Sequence, residues 1–155
     1  MSFPNQPLTG KCSAFGGPYD LGVGPAEGLA LVEPQDLKSS YWRSLFLPAQ
    51  PTASTGLARR LNPFGFYCAM RWKDYGITRA RARAGLIKVT NPRIPTKAVY
   101  VRPVDFGPGD GSVIDGRSTQ DTGRVIDLSN GAMFALQVET DFPVVVEWIE
   151  DGSAA

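Results

Sequence analysis

Glycine and proline are the residues that most constrain how this chain can fold. There are 17 glycines and 13 prolines among its 155 residues. Glycine weakens helix interiors and proline interrupts them, whereas both are common in the turns that join short strands. A chain of this length supports one ordinary hydrophobic core. We therefore expect a single all-β domain over residues 1–155, built of short strands joined by many turns.

The chain has no histidine and only two cysteines, Cys12 and Cys68. The lack of histidine excludes Ser-His-Asp and Cys-His catalysis and any imidazole acid–base chemistry near neutral pH. The two cysteines fit no metal-binding spacing, so we predict no metal site and no cofactor. We expect the strands that carry them to be neighbours. Two interpretations then stay open, a disulfide or two small buried side chains.

Charged residues are unevenly distributed, although the net charge is only +1. Residues 71–102 contain nine basic residues and one acidic residue, whereas from residue 103 onward there are ten acidic and two basic residues. Such segments can pair with each other as neighbouring strands, or the basic segment can form a groove for a polyanion. The low net charge favours the first interpretation and predicts no nucleic-acid partner.

The sequence predicts no membrane-spanning segment, because no run approaches the roughly 20 apolar residues that a bilayer requires. The first eight residues also lack the basic and apolar regions of a signal peptide. We expect the protein to act in the cell envelope, the extracellular space or a phage particle. If it begins with this sequence, we expect it to reach that place by a route that needs no signal peptide.

Alternating apolar residues predict several strands in the second half of the chain. In the segment 66–72, the alternation places Cys68, Met70 and Trp72 on one face. Further strands are predicted at 86–90, 97–104, 124–127 and 144–149. The segment 79–84 alternates arginine and alanine, which allows either a strand or a solvated loop.

Other stretches predict loops and helices. Residues 34–65 contain several prolines and read as a long loop over the domain, with a short helix beginning at Pro34. Residues 105–123 read as a glycine-rich loop. Ser129 is placed to cap a helix over residues 130–137, which could cover one end of a barrel.

Asp105 and Asp127 are the candidate catalytic residues. Each ends an apolar strand at the edge of the same glycine-rich loop. A partly desolvated carboxyl at such a position can have a raised pKa and donate a proton, and a pair of carboxylates can cleave glycosidic bonds. Either aspartate could instead accept backbone hydrogen bonds or cap the following helix.

Four motifs in this order resemble the core of the RlpA-like and expansin-like double-psi β-barrel proteins. They are Ser13-Ala-Phe-Gly-Gly17, Leu86-Ile-Lys-Val-Thr-Asn-Pro92, Val99-Tyr-Val-Arg-Pro-Val-Asp-Phe-Gly-Pro108 and Gly123-Arg-Val-Ile-Asp-Leu-Ser129. The resemblance covers residues 12–32 and 66–149 and leaves 34–65 as an insertion. It implies a six-stranded double-psi barrel with a polysaccharide groove, for which peptidoglycan is the expected polymer.

The resemblance also implies roles for individual residues. Asp105 matches the aspartate of the Asp-x-Gly-Pro motif and is the first candidate for the acid–base residue, and Asp127 matches the aspartate before Leu-Ser. Both positions are catalytic in lytic transglycosylases and family-45 endoglucanases of this type. Aromatic and arginine side chains could line the groove and bind the polymer. These substrate-binding candidates are Tyr19, Tyr67, Arg71, Trp72 and Arg102.

One family element is missing, because RlpA-like sequences carry a Thr-Ala-x-His segment and this chain has no histidine. The resemblance therefore allows an enzyme that cleaves glycans or an expansin-like protein that only binds them. The alternative is a non-enzymatic structural or adaptor module of a phage tail, baseplate or secretion machine, whose partners would be other structural proteins.

Overall fold

A computed structural model of the chain describes residues 2–48, 55–114, 117–119 and 121–150. These residues form short β-strands interrupted by shorter helices. The strands are β1 (Leu8–Ala14), β2 (Tyr67–Ala69), β3 (Gly85–Thr90), β4 (Ala98–Asp105), β5 (Val113–Ile114), β6 (Arg117–Ser118), β7 (Arg124–Leu128) and β8 (Pro143–Glu150). The α-helices are α1 (Ser40–Arg43), α2 (Leu57–Arg60), α3 (Arg79–Arg83) and α4 (Asn130–Leu136).

Six strands close into a barrel in the order β1-β7-β2-β4-β3-β8. β1 is parallel to β7 and β2 is parallel to β4, whereas the other neighbouring strands are antiparallel. The prediction of an all-β, six-stranded barrel is therefore confirmed. The two segments expected as core strands, 97–104 and 144–149, fall in β4 and β8.

The strand order has an internal twofold symmetry. In chain order the six barrel strands form two sets of three, β1-β2-β3 and β4-β7-β8. Exchanging each strand with its counterpart in the other set gives the same pairs of neighbouring strands. The exchange converts the parallel pair β1–β7 into the parallel pair β4–β2. It maps the β2–β7 pair onto itself, so these two strands meet at the symmetry axis. Asp127 lies in β7 at this axis.

Alternating side chains of the strands fill the barrel. In β3, Ile87 and Val89 are fully buried, and the residues that alternate with them along the strand are only half-buried. The same strand needs glycine at position 85, because a Cβ atom there would lie 2.3 Å from the ring of Trp148 on the neighbouring strand β8. The period of two that identified these strands in the sequence is the period with which they bury side chains.

The segment 34–65 covers one side of the barrel; its residues 49–54 lie outside the described residues. It contains a 3₁₀-helix (Pro34–Lys38) followed by α1 and α2. Its apolar side chains form a second buried cluster with residues of β2, β4 and the loop after β1, which we call the insertion core. The members are Phe15, Val23, Leu29, Val32, Trp42, Leu45, Phe46, Leu57, Ala58, Leu61, Tyr67, Ala69 and Val104.

The segment 79–84, predicted as a strand or a solvated loop, mostly forms the helix α3. Arginine and alanine are strong helix formers, and the Thr78 hydroxyl caps the helix by accepting a hydrogen bond from Arg81 N at 3.2 Å. Each arginine of α3 forms an ion pair with a distant acidic residue. The pairs are Arg79–Glu33, Arg81–Glu150 and Arg83–Asp36. These contacts balance much of the basic charge in this segment.

The second half of the chain agrees with the sequence at α4 and differs in the glycine-rich loop. Ser129 caps α4 as predicted, and its hydroxyl accepts a hydrogen bond from Ala132 N at 3.2 Å. The loop contains a small hairpin, β5–β6, that the sequence analysis did not predict. None of the described helices has the length and apolar character needed to cross a membrane.

Cys12 and Cys68 are both buried free thiols. We expected their strands to be neighbours, but β7 lies between β1 and β2 in the barrel. Two strand spacings place the backbones roughly 9–10 Å apart, more than the about 7 Å that a disulfide allows. Burial raises the pKa of both thiols, which pack in the barrel core as small apolar groups.

Candidate functional site

A cleft of about 810 Å³ opens where β7, β2 and β4 meet the loops that follow β1 and β4. The strand registers place four of its residues in one row across adjacent strands. Ser13 pairs with Asp127, Asp127 pairs with Ala69, and Ala69 pairs with Asp105. The two aspartates that the sequence singled out therefore line the same cleft, with the small side chain of Ala69 between them.

The Asp127 carboxyl has the most perturbed environment in the cleft. Its pKa is raised to about 7, mainly by burial. The charge of Arg124 partly opposes this rise, and the nearby carboxylates of Asp105 and Asp20 contribute to it. Within the described part of the chain, no group donates a hydrogen bond to this carboxyl and no cation forms an ion pair with it. It is therefore half protonated near neutral pH and faces the cleft with its hydrogen-bonding capacity unused.

Gly107 allows the backbone to come close to this carboxyl. A Cβ atom at position 107 would lie 3.4 Å from Oδ2 of Asp127 and 3.9 Å from the Cβ of Ala69. The Gly107 amide instead donates a hydrogen bond to the carbonyl oxygen of Met70 at 3.3 Å, which holds the loop after β4 against β2. The backbone at Gly107 thus lies beside Asp127 and helps to bury its carboxyl, and a Cβ atom there would make only ordinary contacts.

Asp105 lies in a different setting at the end of β4. Its Oδ1 accepts a hydrogen bond from the Ala30 amide at 2.8 Å. This contact fixes the orientation of the carboxyl and connects β4 to the loop that forms the opposite wall of the cleft. The sequence favoured Asp105 as the acid–base residue, and the structure adds a raised pKa at the second candidate, Asp127.

The sequence analysis missed two further carboxyl groups that line the cleft, Asp20 and Glu27. Asp20 accepts hydrogen bonds from the amides of Gly16 at 2.7 Å and Gly22 at 2.8 Å, so it shapes the loop after β1. Both residues belong to an irregular segment. At Asp20 the sequence signal was an aspartate among glycines, which is typical of a turn.

Two cations line the cleft beside these carboxyls, Lys73 and Arg124. Arg124 forms an ion pair with Asp141, in which Nε lies 2.8 Å from Oδ1. The Lys73 ammonium lies 5.4 Å from the ring centroid of Phe106, which also borders the cleft. The cleft therefore combines carboxyl groups with a nearby positive charge and an aromatic ring.

Arg71 is not an open groove residue, as the sequence suggested, because its guanidinium is engaged by the protein itself. Nε donates to Asp74 at 2.6 Å, and Nη2 lies 3.2 Å from Asp110. Nη2 also donates to the Ser112 hydroxyl at 3.0 Å. These contacts hold the glycine-rich loop, which forms a wall of the cleft, so Arg71 positions the loop.

Tyr67 and Trp72 are core residues, which corrects their assignment as groove residues. Tyr67 is 0% exposed in the insertion core, and its hydroxyl donates a hydrogen bond to the Phe15 carbonyl oxygen at 2.9 Å. Trp72 is buried in the barrel core and packs edge-to-face on Phe106. The insertion explains the Tyr67 error, because it buries the face of β2 that would otherwise be exposed.

The two remaining candidates differ from each other. Arg102 points toward the insertion: its guanidinium lies 4.0 Å from the ring centroid of Tyr41 and donates a hydrogen bond to the Tyr41 carbonyl oxygen. Tyr19, in contrast, is 89% exposed next to the cleft. Of the five predicted binding residues, Tyr19 is thus the one whose side chain is open to a ligand.

No family model matches this chain, and no curated protein matches it in a sequence search. Among the residues that the structure describes, no group of three or more histidine, cysteine, aspartate or glutamate residues is placed to hold a metal ion. The chemistry available in the cleft is proton transfer by Asp127, with Asp105 as a second carboxyl two strands away.

Proposed function

We propose that this protein is a barrel that binds and cleaves cell-wall glycan, with peptidoglycan as its polymer, in the cell envelope or a phage particle. The observation that carries the proposal is the Asp127 carboxyl, which lines the cleft with a pKa of about 7 and has no hydrogen-bond donor among the described residues. The order of the sequence motifs and the closed six-stranded barrel support the choice of a glycan.

In this proposal Asp127 is the general acid. Near neutral pH its protonated form donates a proton to the glycosidic oxygen as the bond to the leaving sugar breaks. Asp105, fixed by the Ala30 amide, is the second carboxylate and stabilises the positive charge that develops on the sugar ring or activates the attacking hydroxyl. The Cα atoms of the two residues are separated by two strand spacings, roughly 9–10 Å.

The separation of the two carboxyl groups decides between a single displacement and a covalent intermediate. It is about 6.5–9.5 Å in inverting glycosidases, which leaves room for the attacking group, and about 5–5.5 Å in retaining enzymes. In this barrel the two aspartates lie in one row with the small side chain of Ala69 between them.

A non-enzymatic structural or adaptor module of a phage particle or secretion machine is the second candidate. Two observations favour it: the chain lacks the histidine of RlpA-like enzymes, and Phe134 on α4 is exposed and does not line the cleft. An exposed aromatic side chain of this kind suits a protein contact. An expansin-like protein, which binds glycan without cleaving it, lies between the two candidates.

Muropeptide analysis of purified sacculi tests the proposal. The parent protein should release soluble glycan fragments, and Asp127→Asn should lower the rate by about 100-fold or more, because it removes the proton donor. The rate of the parent should fall as the pH rises above about 7, as the acid form of Asp127 disappears. Glu139→Gln, which changes an exposed carboxyl outside the cleft, is the matched control.

The outcomes separate the candidates. Release by Asp127→Asn at the parental rate would show that Asp127 is not the acid, and Asp105→Asn then tests the residue that the sequence favoured. Co-sedimentation of the parent with sacculi without any release indicates an expansin-like protein. Neither binding nor release would overturn the proposal and leave the adaptor candidate.

A further inference from the structure

A shallow depression of about 400 Å³ lies beside the cleft, between the rings of Tyr19 and Phe64. Both rings are largely open to solvent, with Tyr19 89% and Phe64 82% exposed. Apolar side chains of this size are normally buried, so two of them on one small depression mark a surface that contacts something else. Asp20 and Asn130 add polar groups to the same depression.

The backbone beneath both rings is well fixed, although the rings themselves are exposed. The Phe64 amide donates to the Asn62 side chain at 3.1 Å, and the Gly131 amide donates to the carbonyl oxygen of Pro63 at 2.7 Å. A Cβ atom at Gly131 would lie 3.0 Å from the backbone of Phe64, so α4 packs directly against this segment. On the other side, the carboxyl of Asp20 is held by two loop amides next to Tyr19.

The depression adjoins the cleft. Ala14, Phe15 and Asp20 line both of them, so a ligand that extends from the cleft past these residues reaches the depression. The path leads from the two catalytic candidates, past Asp20, to the ring of Tyr19 and then to Phe64 of the insertion. A ligand that occupied the whole path would be a chain rather than a single small molecule.

We propose that Tyr19 and Phe64 form a second sugar-binding subsite, so that the substrate class is a long glycan strand rather than a short fragment. Aromatic rings with a few polar neighbours suit sugars, which present an apolar face together with hydroxyl groups. The inference rests on the proposed glycan function and adds to it a subsite built partly from the insertion, which lies outside the family resemblance.

The test compares glycan strands of two lengths. Strands are freed of peptides with an amidase and separated into disaccharides and strands of eight or more sugars, and affinity is measured by calorimetry with Asp127→Asn, which prevents turnover. Adding Tyr19→Ala or Phe64→Ala should weaken binding of the long strands about tenfold each, equivalent to about 1.4 kcal/mol. Binding of the disaccharide should change less than about twofold, because it fills the cleft alone.

Two further variants provide controls. Phe64→Tyr keeps an aromatic ring and should retain the affinity for long strands. Tyr100→Ala removes an aromatic side chain that is 52% exposed and lies five residues before Asp105 on β4, so it should leave both affinities unchanged. All of these side chains are exposed, and the variants should melt within a few degrees of the parent.

Three results would overturn the inference. Equal binding of long strands by the parent and by both alanine variants would remove the subsite and leave the proposed function intact. Failure of the parent to bind strands of any length would remove both. A change in oligomeric state on Phe64→Ala, seen by light scattering without any change in glycan affinity, would make the surface a contact between copies of the chain.

Discussion

The insertion core and the cleft are neighbours along the same face of β2, where Ala69 belongs to both, and they differ in whether their buried polar groups have partners. In and beside the insertion core these groups are satisfied by the protein: the Tyr67 hydroxyl donates to the Phe15 carbonyl, and the Arg83 guanidinium donates to both Asp36 oxygens at 2.9 and 3.1 Å. In the cleft, the Asp127 carboxyl is partly buried and has no such partner within the part of the chain that the structure describes.

The difference shows where stability has been given up. A buried polar group with a partner contributes to folding, whereas a carboxyl that is desolvated without one opposes it. Arg83 lowers the pKa of Asp36, but burial raises that of Asp127. Proteins tend to keep such an unfavourable group where it serves a ligand or a reaction, which supports the proposal that the cleft is the functional region.

The largest expected effect is in the insertion core. Tyr67→Ala should lower the free energy of unfolding by about 3–5 kcal/mol, because it removes a fully buried aromatic ring and leaves a cavity between β2 and the insertion. Chemical denaturation followed by tryptophan fluorescence measures the change. The barrel and insertion should lose structure in one transition, since the ring belongs to both.

Tyr67→Phe is the matched control for the hydroxyl. It keeps the ring and removes only the donor to the Phe15 carbonyl, so it should cost about 1–2 kcal/mol. A Tyr67→Ala variant as stable as the parent would contradict the burial of this side chain, and with it the distinction between the insertion core and the cleft.

A smaller effect of opposite sign is expected in the cleft. Asp127→Asn should raise the free energy of unfolding by about 2–4 kcal/mol at pH 8, because each pKa unit of the shift is worth about 1.4 kcal/mol. The folded state binds the Asp127 proton more tightly than the unfolded state, so the parent loses stability as the pH rises from about 4 to about 7. The advantage of the variant should therefore be close to zero at pH 3 and grow over that range.

Denaturation curves at pH 3, 5, 7 and 8 check this, and Glu139→Gln is the control for an exposed carboxyl. Its stability should differ from that of the parent by less than about 0.5 kcal/mol throughout. A pH-independent difference between Asp127→Asn and the parent would mean that the carboxyl is not destabilised by burial, and the contrast between the two regions would disappear.

The sequence was most informative where one face of a strand is buried and the other is open. β3, β4 and β8 follow that rule, and their apolar alternation identified them. β2 does not follow it: all three of its residues are buried, because the barrel covers one face and the insertion the other. Alternation within β2 could not reveal a second core formed by the irregular segment 34–65, so Tyr67 was assigned to a groove.

For the site, the sequence identified the positions but not their environments. Asp105 and Asp127 were recognised from strand ends and motifs, and both line the cleft. The burial that raises the pKa of Asp127 and the Ala30 amide that orients Asp105 come from the packing of distant segments, which a linear pattern does not reveal. Asp20 and Phe64 lie in irregular segments, where no period exists to place a side chain.

The smallest effect on stability is expected at Arg71, whose contacts hold the glycine-rich loop beside the cleft. Its guanidinium is largely buried, yet its acidic partners Asp74 and Asp110 are exposed. Ion pairs with exposed partners contribute little to folding, so Arg71→Ala should change the free energy of unfolding by about 1 kcal/mol or less. Its effect should appear instead in the glycine-rich loop that forms a wall of the cleft.

Without Arg71, the loop loses its contacts through Asp110 and the Ser112 hydroxyl, while the hydrogen bond from the Thr119 amide to the Ser112 carbonyl at 2.9 Å is left to hold it. Local opening should therefore become more frequent, and hydrogen exchange at the Thr119 amide should accelerate about fivefold to tenfold with little change in the barrel strands. The control is Arg93→Ala. It removes an arginine that stacks on Phe142 away from the cleft and should leave hydrogen exchange at the Thr119 amide unchanged. Arg71→Lys should accelerate it nearly as much as alanine, because lysine lacks the planar fork that reaches several acceptors at once. If exchange at Thr119 were unaffected in both Arg71 variants, the loop would be held by its own hairpin, and Arg71 would be available to a ligand as the sequence first suggested.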